Sequence, residues 1–298
     1  MTLSVRRILC CDRRLEGKPN HDWKEGYELM YAFRRLGFDC DVAGPHGIVY
    51  TEADIPRIAR FYDLIVITEN YPYVATGDNV RRWKWWNWES IPTPKVFWAI
   101  DTHLHDYTWF FNNARPNFVA FSISQHQREY GLANSFVMHY ALSRRHQFLN
   151  ETHPKQYDCV FIGSLEVSAD RKRLCEKFGI QAMNAYGEDY FRTMKKARIC
   201  FNHSISGEIN AKYFEIMGSG SFMLSNYNQE LIDFMDESVR EDVKACMYET
   251  EDEIGEKIVH YLEHEDEREA IAKRLYDHVW ANHTWENRAI QILQHVQR

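Results

Sequence analysis

Residues 207–226, GEINAKYFEIMGSGSFMLSN, pass from a helical pattern of apolar side chains into a short apolar strand. Ile209, Tyr213 and Ile216 are spaced so that they share one face of a helix, and we expect that face to pack on a sheet. The preceding run RICFNHS, at 198–204, has the apolar content of a buried strand. Together these patterns predict a β–α–β unit, which is the building block of a parallel sheet.

The same alternation of strand and helix patterns extends along the whole chain. In the first half, strand-like runs such as VRRILCC (5–11) and KVFWAID (95–101) are separated by helical patterns. Such alternation predicts an α/β fold with parallel sheets covered by helices. Because the strongly polar interval 143–156 lies between two strand patterns, we predict two domains, residues 1–145 and 146–298.

Glycines and capping residues predict how the last elements end. Gly218 and Gly220 are expected to stop the helix of the opening stretch and to allow a tight turn into the strand SFMLSN. A weak strand is predicted at VKACMY (243–248), followed by one long helix over 251–283. A second helix begins near Thr284 and completes the chain.

Composition and charge narrow the functional classes. The chain has 298 residues and a formal net charge of −7, so it lacks the chain-wide basic field of many nucleic-acid-binding proteins. No segment approaches ~18 consecutive apolar residues, so we expect no membrane span, and MTLSVRRILCC predicts a first strand and no signal peptide. Seven cysteines without a C-x-x-C pair indicate free thiols in a reducing compartment, and we expect a cytoplasmic protein.

The start of the central helix carries groups suited to a phosphorylated ligand. Open parallel sheets bind ligands beyond the carboxyl ends of their strands, where helix N-termini offer unpaired N–H groups to an anion. Lys212 adds a cation there, while Ser206 and Asn210 are candidate caps or phosphate contacts. The Glu215 carboxylate is able to accept hydrogen bonds from the vicinal hydroxyls of a ribose. The alternative is that Glu208, Lys212 and Glu215 form a surface ladder of ion pairs.

The segment from Asn210 to Tyr227, NAKYFEIMGSGSFMLSNY, resembles the donor-binding signature of GT-B glycosyltransferases. In particular it is similar to the pattern N-x-[RK]-x-F-E-x-M-x-S-G of spore maturation protein CgeB-like proteins, which have a group 1 glycosyltransferase domain. The pieces FIGS (161–164), AYG (185–187) and MKKARICFN (194–202) support the resemblance. It covers residues 155–298 well and the first half loosely. It implies a GT-B fold of two Rossmann-like domains facing a cleft, with the last helix returning to the N-terminal domain.

By this resemblance the C-terminal domain binds the nucleotide sugar and the N-terminal domain binds the acceptor. Glu215 is expected to bind the ribose and Lys212 the diphosphate. Related retaining enzymes often carry two glutamates separated by seven residues, whereas six residues separate Glu208 from Glu215; Glu208 is therefore a candidate sugar contact that departs from the pattern. The rest of the implied donor-binding set is Asn210 at the diphosphate, Gly163 and Ser164 over the phosphates, and Tyr186 and Gly187 near the base.

Candidates for catalysis and for acceptor binding come from the first half. Asp101 and His103 follow a strand and are candidate acid/base residues, with strand-end capping as the alternative. His105 is a candidate acceptor contact, and a metal site formed by these residues is less expected. In the run RRWKWWNW, Trp83 and Trp86 are candidates for stacking on an acceptor, and core packing is the alternative.

Two cations near the start of another helix complete the list of candidates. Arg171 and Lys172 are able to reach phosphate, but charged residues at a helix start are more often solvated. The implied catalytic role of Lys212 is to stabilise the leaving diphosphate together with the helix N-terminus.

We therefore predict a glycosyltransferase that moves a sugar from a nucleotide-sugar donor, with a UDP-sugar most expected, to an acceptor. The resemblance implies retention of anomeric configuration and no metal or other cofactor. A glycan, a lipid-linked or a small-molecule acceptor is favoured over DNA because the chain is acidic. The alternatives are a nucleotide-sugar epimerase on the same fold and a non-catalytic nucleotide- or sugar-binding module.

Overall fold

The computed structural model describes ten segments of the chain. The chain divides into two compact units: unit 1 comprises Met1–His139 and Trp285–Arg298, and unit 2 comprises Tyr140–Thr284. The described segments are residues 4–12, 25–43, 55–68, 90–100, 102, 106–108, 111–112, 115–149, 153–205 and 207–297.

Unit 1 contains a six-stranded parallel sheet within its described residues. Its strands are β1 (Arg7–Cys11), β2 (Asp39–Ala43), β3 (Leu64–Thr68), β4 (Lys95–Ala99), β5 (Phe118–Phe121) and β6 (Ser135–Val137). They lie in the order β2-β1-β3-β4-β5-β6. The helices described in this unit include α1 (Glu25–Arg35), α2 (Ile55–Ala59) and α3 (Ser124–Tyr130).

The central strands of unit 1 are buried along their whole length. Every side chain of β3 and β4 is buried, as expected for parallel strands that are covered on both faces. Lys95 opens β4 and is itself buried, and its Nζ donates hydrogen bonds to the carbonyls of Ile91 and Thr93. The amine is therefore satisfied inside the core, and burial lowers its pKa.

Unit 2 contains a five-stranded parallel sheet in the order β11-β10-β9-β7-β8, so the order reverses between β7 and β9. Its strands are β7 (Tyr157–Ile162), β8 (Gln181–Met183), β9 (Ala197–Asn202), β10 (Phe222–Asn226) and β11 (Met247–Tyr248). Its helices are α4 (Ala169–Phe178), α5 (Gly187–Lys195), α6 (Ala211–Ser219), α7 (Gln229–Phe234), α8 (Glu237–Ala245), α9 (Glu251–Glu263) and α10 (Glu265–Asn282), and a 3-10 helix spans Arg144–Leu149.

The last helix, α11 (Trp285–Val296), lies in unit 1 and packs on α1. Arg35 and Glu286 form an ion pair of 3.0 Å between the two helices. The Trp285 ring packs edge-on against Trp98 of β4. The roles assigned to the two halves, acceptor side and donor side, stay predictions.

The predicted β–α–β unit of the opening stretch is confirmed as β9, α6 and β10. Its predicted core face is confirmed for Tyr213 and Ile216, which are buried on α6, whereas Ile209 is buried but precedes the helix. The predicted strand at 243–248 is wrong over most of its length. Val239 and Val243 are one helical turn apart and both buried, so the segment extends α8, and only Met247–Tyr248 form a strand.

The single long helix predicted over 251–283 is also wrong, because the chain breaks it into α9 and α10 at His264. This residue leaves helical geometry, with φ −105° and ψ 71°. Its ring Nδ1 lies 2.8 Å from the His260 carbonyl, and its backbone N–H donates to the same oxygen. These contacts give a backbone carbonyl at the end of α9 its hydrogen-bond partners, so the helix ends there. Hydrophobic periodicity does not encode this effect.

The two glycines near the end of α6 have different roles. Gly220 stops the helix as predicted, with φ +78°, and its N–H donates to the Met217 carbonyl. Gly218 is not a stop and lies within the helix. A Cβ at this position would lie 2.3 Å from Leu142 Cδ2, and the Gly218 carbonyl accepts a 3.0 Å hydrogen bond from Trp280 Nε1. Gly218 therefore permits close packing against α6.

We expect Gly218→Ala to lower the free energy of unfolding by about 1–3 kcal/mol, the usual cost of overpacking a core. The loss should occur although Ala is the better helix former by roughly 1 kcal/mol. Urea unfolding measures it. Leu142→Ala removes the clashing atoms, so the double variant should lose less than the sum of the two single losses. Strictly additive losses, or an unchanged midpoint for Gly218→Ala, would contradict the packing argument.

Candidate functional site

The candidate site lies at the carboxyl edge of the unit 2 sheet, between β7 and β9. The strand order reverses there, and the loops that follow the two strands diverge, which leaves a crevice suited to a ligand. Gly163 and Ser164 begin the loop after β7, and His203 begins the loop after β9. The sequence runs FIGS (161–164) and ICFN (199–202) thus lead into the same crevice from two neighbouring strands.

Lys212 reaches this crevice from the first turn of α6. Its Nζ donates a 2.7 Å hydrogen bond to the Ile162 carbonyl, at the end of β7, and lies 4.5 Å from the centroid of the Phe161 ring. Burial lowers the pKa of Lys212 from 10.5 to about 8, and the positive charge of Arg171 is the second cause. A partly buried lysine with a lowered pKa at a strand end is typical of an anion-binding or catalytic group.

Arg171 adds a second cation from the first turn of α4. Its Nε donates a 2.9 Å hydrogen bond to the His203 carbonyl, and its Cζ lies 5.6 Å from the centroid of the Phe161 ring. Burial lowers its pKa. The expectation of a solvated side chain was therefore wrong for Arg171, whereas Lys172 is exposed and 4.0 Å from Glu176.

The position of Arg171 can be predicted from the sequence, because it follows the helix-capping serine by three residues. Ser168 caps α4, and its side chain accepts a hydrogen bond from the backbone N–H of Arg171. A serine followed three positions later by an arginine therefore places that arginine in the first turn, next to the carboxyl edge of the sheet.

Gly163 provides the room that the Lys212 amine occupies. A Cβ at position 163 would lie 3.2 Å from Lys212 Nζ, and the residue has φ +145°, which favours glycine. Ser164 is exposed, and its Oγ accepts a 3.3 Å hydrogen bond from the Glu166 N–H. The predicted phosphate loop is thus adjacent to the predicted phosphate-binding lysine.

Asn210 is the N-cap of α6, as predicted. Its side-chain oxygen accepts a 3.1 Å hydrogen bond from the Lys212 N–H, which fixes the first turn and with it the direction of the Lys212 side chain. The other cap candidate, Ser206, lies outside the described residues. The role of Asn210 toward a diphosphate stays a prediction.

Glu215 lies one turn after Lys212 and is partly buried. The Tyr190 hydroxyl on α5 donates a 2.9 Å hydrogen bond to Glu215 Oε2. Burial and the negative charge of Glu215 raise the pKa of Tyr190, so the phenol remains protonated and acts as a donor. The sequence did not identify Tyr190.

Close to it, Tyr186 is 65% exposed, and Gly187 begins α5 with φ +57°.

The alternative of a surface ladder formed by Glu208, Lys212 and Glu215 is wrong. Glu208 precedes α6 and is only 4% exposed, and Lys212 extends to the end of β7. The Glu208 carbonyl accepts hydrogen bonds from the Ser204 hydroxyl, at 3.2 Å, and from the Asn210 N–H, at 3.0 Å. Contact between Glu208 and a sugar stays a prediction.

The loop between β9 and α6 is held by two asparagines that sequence reasoning missed. Asn226 accepts from the Ser204 N–H at 2.7 Å and donates to the Ser204 carbonyl at 3.0 Å. Asn228 donates to the Gly207 carbonyl at 2.8 Å and also caps α7. Their signal is their position at the carboxyl end of the apolar strand β10, as its last residue and two residues beyond it, next to the carboxyl end of β9.

The remaining candidates from the sequence lie outside the described residues. They are the acid/base candidates Asp101 and His103 and the acceptor candidates His105, Trp83 and Trp86.

In the part of the chain that the structure describes, no three His, Cys, Asp or Glu side chains converge in a way that would hold a metal ion. Over the same residues, every helix is too short or too polar to cross a membrane.

Comparison with known proteins identifies the family and the fold. Residues 144–294, half of the chain, match the family model described as glycosyl transferase-like. No curated protein sequence matches the chain. An α-glucosyltransferase in complex with UDP and a 13-mer DNA containing an HMU base is similar in structure, with a TM-score of 0.69 and 10% identity over 99% of this chain and 100% of that one.

Two further solved structures are similar to this chain. T4 phage β-glucosyltransferase with its UDP-glucose substrate has a TM-score of 0.64 and 8% identity over 98% of this chain and 99% of that one. It has also been solved with UDP and Mn²⁺. TarM has a TM-score of 0.51 and 8% identity over 79% of this chain and 55% of that one.

At these identities the structural likeness establishes the fold, which is the α/β fold of the GT-B glycosyltransferases, as predicted. The narrower resemblance to CgeB-like proteins stays a prediction. The family match covers α4, α5 and α6, which carry Arg171, Tyr190 and Lys212. The chain belongs to the glycosyl transferase-like family of glycosyltransferases.

Proposed function

We propose that the protein transfers a sugar from a nucleotide-sugar donor, with a UDP-sugar the first candidate, to an acceptor. The observation that carries the proposal is the pair of cations, Lys212 and Arg171, on either side of the switch point in unit 2. Among the described residues, neither side chain lies within 4.0 Å of a carboxylate oxygen in an ion pair. Two cations held together without such a partner favour a dianionic ligand.

A diphosphate fits this arrangement on charge and on position. Its oxygens would meet the first turn of α6, where backbone N–H groups and the helix dipole favour an anion. The loop at Gly163 lies beside Lys212 Nζ, so a phosphate in the crevice would contact the backbone of this loop as well as the amine. The UDP and UDP-glucose bound in the solved neighbours support this choice of ligand.

The nucleoside would extend from the diphosphate along α6 toward α5. Glu215 lies one helical turn beyond Lys212, roughly 5 Å along the helix axis. This offset suits a ribose attached to the diphosphate. The hydroxyls of that ribose would donate hydrogen bonds to the Glu215 carboxylate. Tyr186 is exposed close to the N-terminus of α5 and is proposed to contact the base, since an exposed aromatic ring offers a stacking face.

In the proposed reaction, the bond between the anomeric carbon and the terminal phosphate oxygen breaks, and a bond to an acceptor oxygen forms. The nucleoside diphosphate leaves with the electron pair. Lys212, Arg171 and the α6 N-terminus face the developing charge on that leaving group, which is the usual large contribution to such catalysis. His103 is proposed to take the acceptor proton, with Asp101 as the second candidate; both follow β4 in the sequence.

Retention of configuration and independence of a metal are further parts of the proposal. The solved neighbours include both an α- and a β-glucosyltransferase, so the shared fold is compatible with either stereochemical outcome. Retention rests on the resemblance to the group 1 enzymes. Metal independence rests on Lys212 and Arg171, whose charges replace those that a cation would supply to the diphosphate.

The acceptor classes to test are a glycan, a lipid-linked or small-molecule acceptor, and DNA. The HMU-containing DNA bound in one solved neighbour supports including DNA. A net charge of −7 means that DNA contact would depend on a local surface. The seven cysteines are all buried and free, and we propose a cytoplasmic location because free thiols persist in a reducing compartment.

We expect one nucleoside diphosphate among UDP, GDP, ADP and dTDP to bind with micromolar affinity, and CMP to bind more weakly because it has one phosphate. Glu215→Ala and Arg171→Ala should each weaken that binding about tenfold or more, which is about 1.4 kcal/mol. Lys172→Ala is the matched control, since Lys172 is exposed on the same helix, and it should change little. Isothermal titration calorimetry measures these affinities. Absence of nucleotide binding, or equal losses for Arg171→Ala and Lys172→Ala, would contradict the proposed site.

Binding of the diphosphate should weaken with rising pH. The pKa of Lys212 is lowered to about 8, so the free protein loses this positive charge above that pH. Affinity should then fall by up to about tenfold per pH unit, because the ligand must restore the proton. Titrations at about pH 7.5, 8.5 and 9.5 test this. Lys212→Arg keeps its charge over this range and should abolish the pH dependence; an identical decline in this variant would exclude Lys212 as its source.

Sugar transfer should continue in excess EDTA, because Lys212 and Arg171 neutralise the leaving diphosphate. The measurement is release of the nucleoside diphosphate with each acceptor class, followed by NMR of the product for its anomeric configuration. A new sugar on the same nucleotide without an acceptor would indicate an epimerase. Nucleotide binding without turnover would indicate a binding module, and loss of transfer in EDTA would contradict metal independence.

A further inference from the structure

The hydrogen bond from Tyr190 to Glu215 joins two helices at the candidate site. Tyr190 is in the first half of α5, Glu215 is in the middle of α6, and the two helices pack on each other. The hydroxyl oxygen lies 2.9 Å from Glu215 Oε2. Because burial and the negative charge of Glu215 both raise the pKa of the phenol, its proton remains in place over the working pH range.

A fixed donor on one oxygen determines how the carboxylate is presented. A glutamate side chain has three rotatable bonds, and ordering such a side chain costs up to about 2 kcal/mol of conformational entropy. The Tyr190 hydroxyl holds Glu215 before the ligand arrives. An ionised carboxylate has about four acceptor positions, and the hydrogen bond from Tyr190 occupies one of them.

The position of the pair relative to Lys212 indicates which part of a ligand it would meet. Lys212 Nζ is at the end of β7, where the diphosphate is proposed to lie, and Glu215 follows one turn later on the same helix. An acceptor group beside an anion site suits a hydroxyl-bearing ring attached to the phosphate. A site built to bond a hydroxyl rejects an analogue that lacks it, because the acceptor would lose its solvent without gaining a partner.

We propose that Tyr190 is a positioning residue that fixes Glu215 for the ribose hydroxyls and thereby makes the site select ribonucleotides over 2′-deoxyribonucleotides. The inference rests on the proposed function, since it assigns the specificity of the same nucleotide site. A purely structural role for Tyr190 would affect stability and would weaken both kinds of nucleotide equally.

The test compares UDP with 2′-deoxy-UDP by calorimetry. Wild-type protein should prefer UDP by about tenfold or more. Tyr190→Phe, which removes only the hydroxyl, should weaken UDP binding roughly three- to tenfold and should weaken 2′-deoxy-UDP binding, which keeps only the 3′-hydroxyl, by a smaller factor. Glu215→Gln should lower the preference further, and Tyr190→Phe in that background should add little, because the two residues act through one interaction.

Tyr261→Phe is the matched control. It removes a phenol from unit 2 that donates a 3.4 Å hydrogen bond to the Ala245 carbonyl, between α9 and the end of α8. This variant should keep the wild-type preference for UDP. Thermal unfolding of both Tyr→Phe variants separates loss of stability from loss of selectivity.

The outcomes separate failure of this inference from failure of the proposed function. If wild-type protein binds UDP and 2′-deoxy-UDP equally well, or if Tyr190→Phe weakens both in the same proportion, the positioning role is overturned while the nucleotide site stands. The first of these results needs no variant and so does not depend on the folding of Tyr190→Phe. If wild-type protein binds no nucleoside diphosphate, the proposed function itself is overturned.

Discussion

The hydrogen bond from Lys212 Nζ to the Ile162 carbonyl is the contact around which the site is built. It ties the first turn of α6 to the end of β7, although α6 connects β9 to β10 in the chain. A Cβ on Gly163 would lie 3.2 Å from the amine, and the Phe161 ring lies within 4.5 Å of it, measured to the ring centroid. Arg171 approaches the same ring from α4. Moving this amine would therefore disturb the loop, the aromatic ring and the second cation together.

A second constraint is that the polar loop after β9 must hold its shape without a ligand. Asn226 and Asn228 satisfy backbone groups of that loop from the neighbouring strand end, and Asn210 fixes the first turn of α6. Each of these amides replaces water at a backbone group that would otherwise lose its partner on burial. These hydrogen bonds hold the loop in position, and such preorganisation is the condition for electrostatic stabilisation without reorganisation.

The sequence predicts the helices and strands that form this site far better than the contacts between them. Apolar runs locate β7 and β9, and the Asn210 cap and the Gly220 stop follow from local chemistry. The contact of Lys212 with Ile162 spans 50 residues and that of Tyr190 with Glu215 spans 25, so neither leaves a local pattern. The strand prediction for VKACMY (243–248) was wrong because a short apolar run fits a buried helix end equally well. Arg171 was misjudged because its solvation depends on His203, which only the strand order brings near.

The two parts of the site would contribute differently to the proposed reaction. Lys212 and Arg171 would face the diphosphate, where negative charge grows as the sugar departs, so their interaction would strengthen in the transition state and raise kcat. Tyr190 and Glu215 would face a ribose that is unchanged by the chemistry. Their interaction would be the same in the ground state and the transition state, so it would lower KM and set the preference for a ribonucleotide. The two tasks would be separated by a single turn of α6, and one helix would carry both the recognition of the donor and the stabilisation of its leaving group.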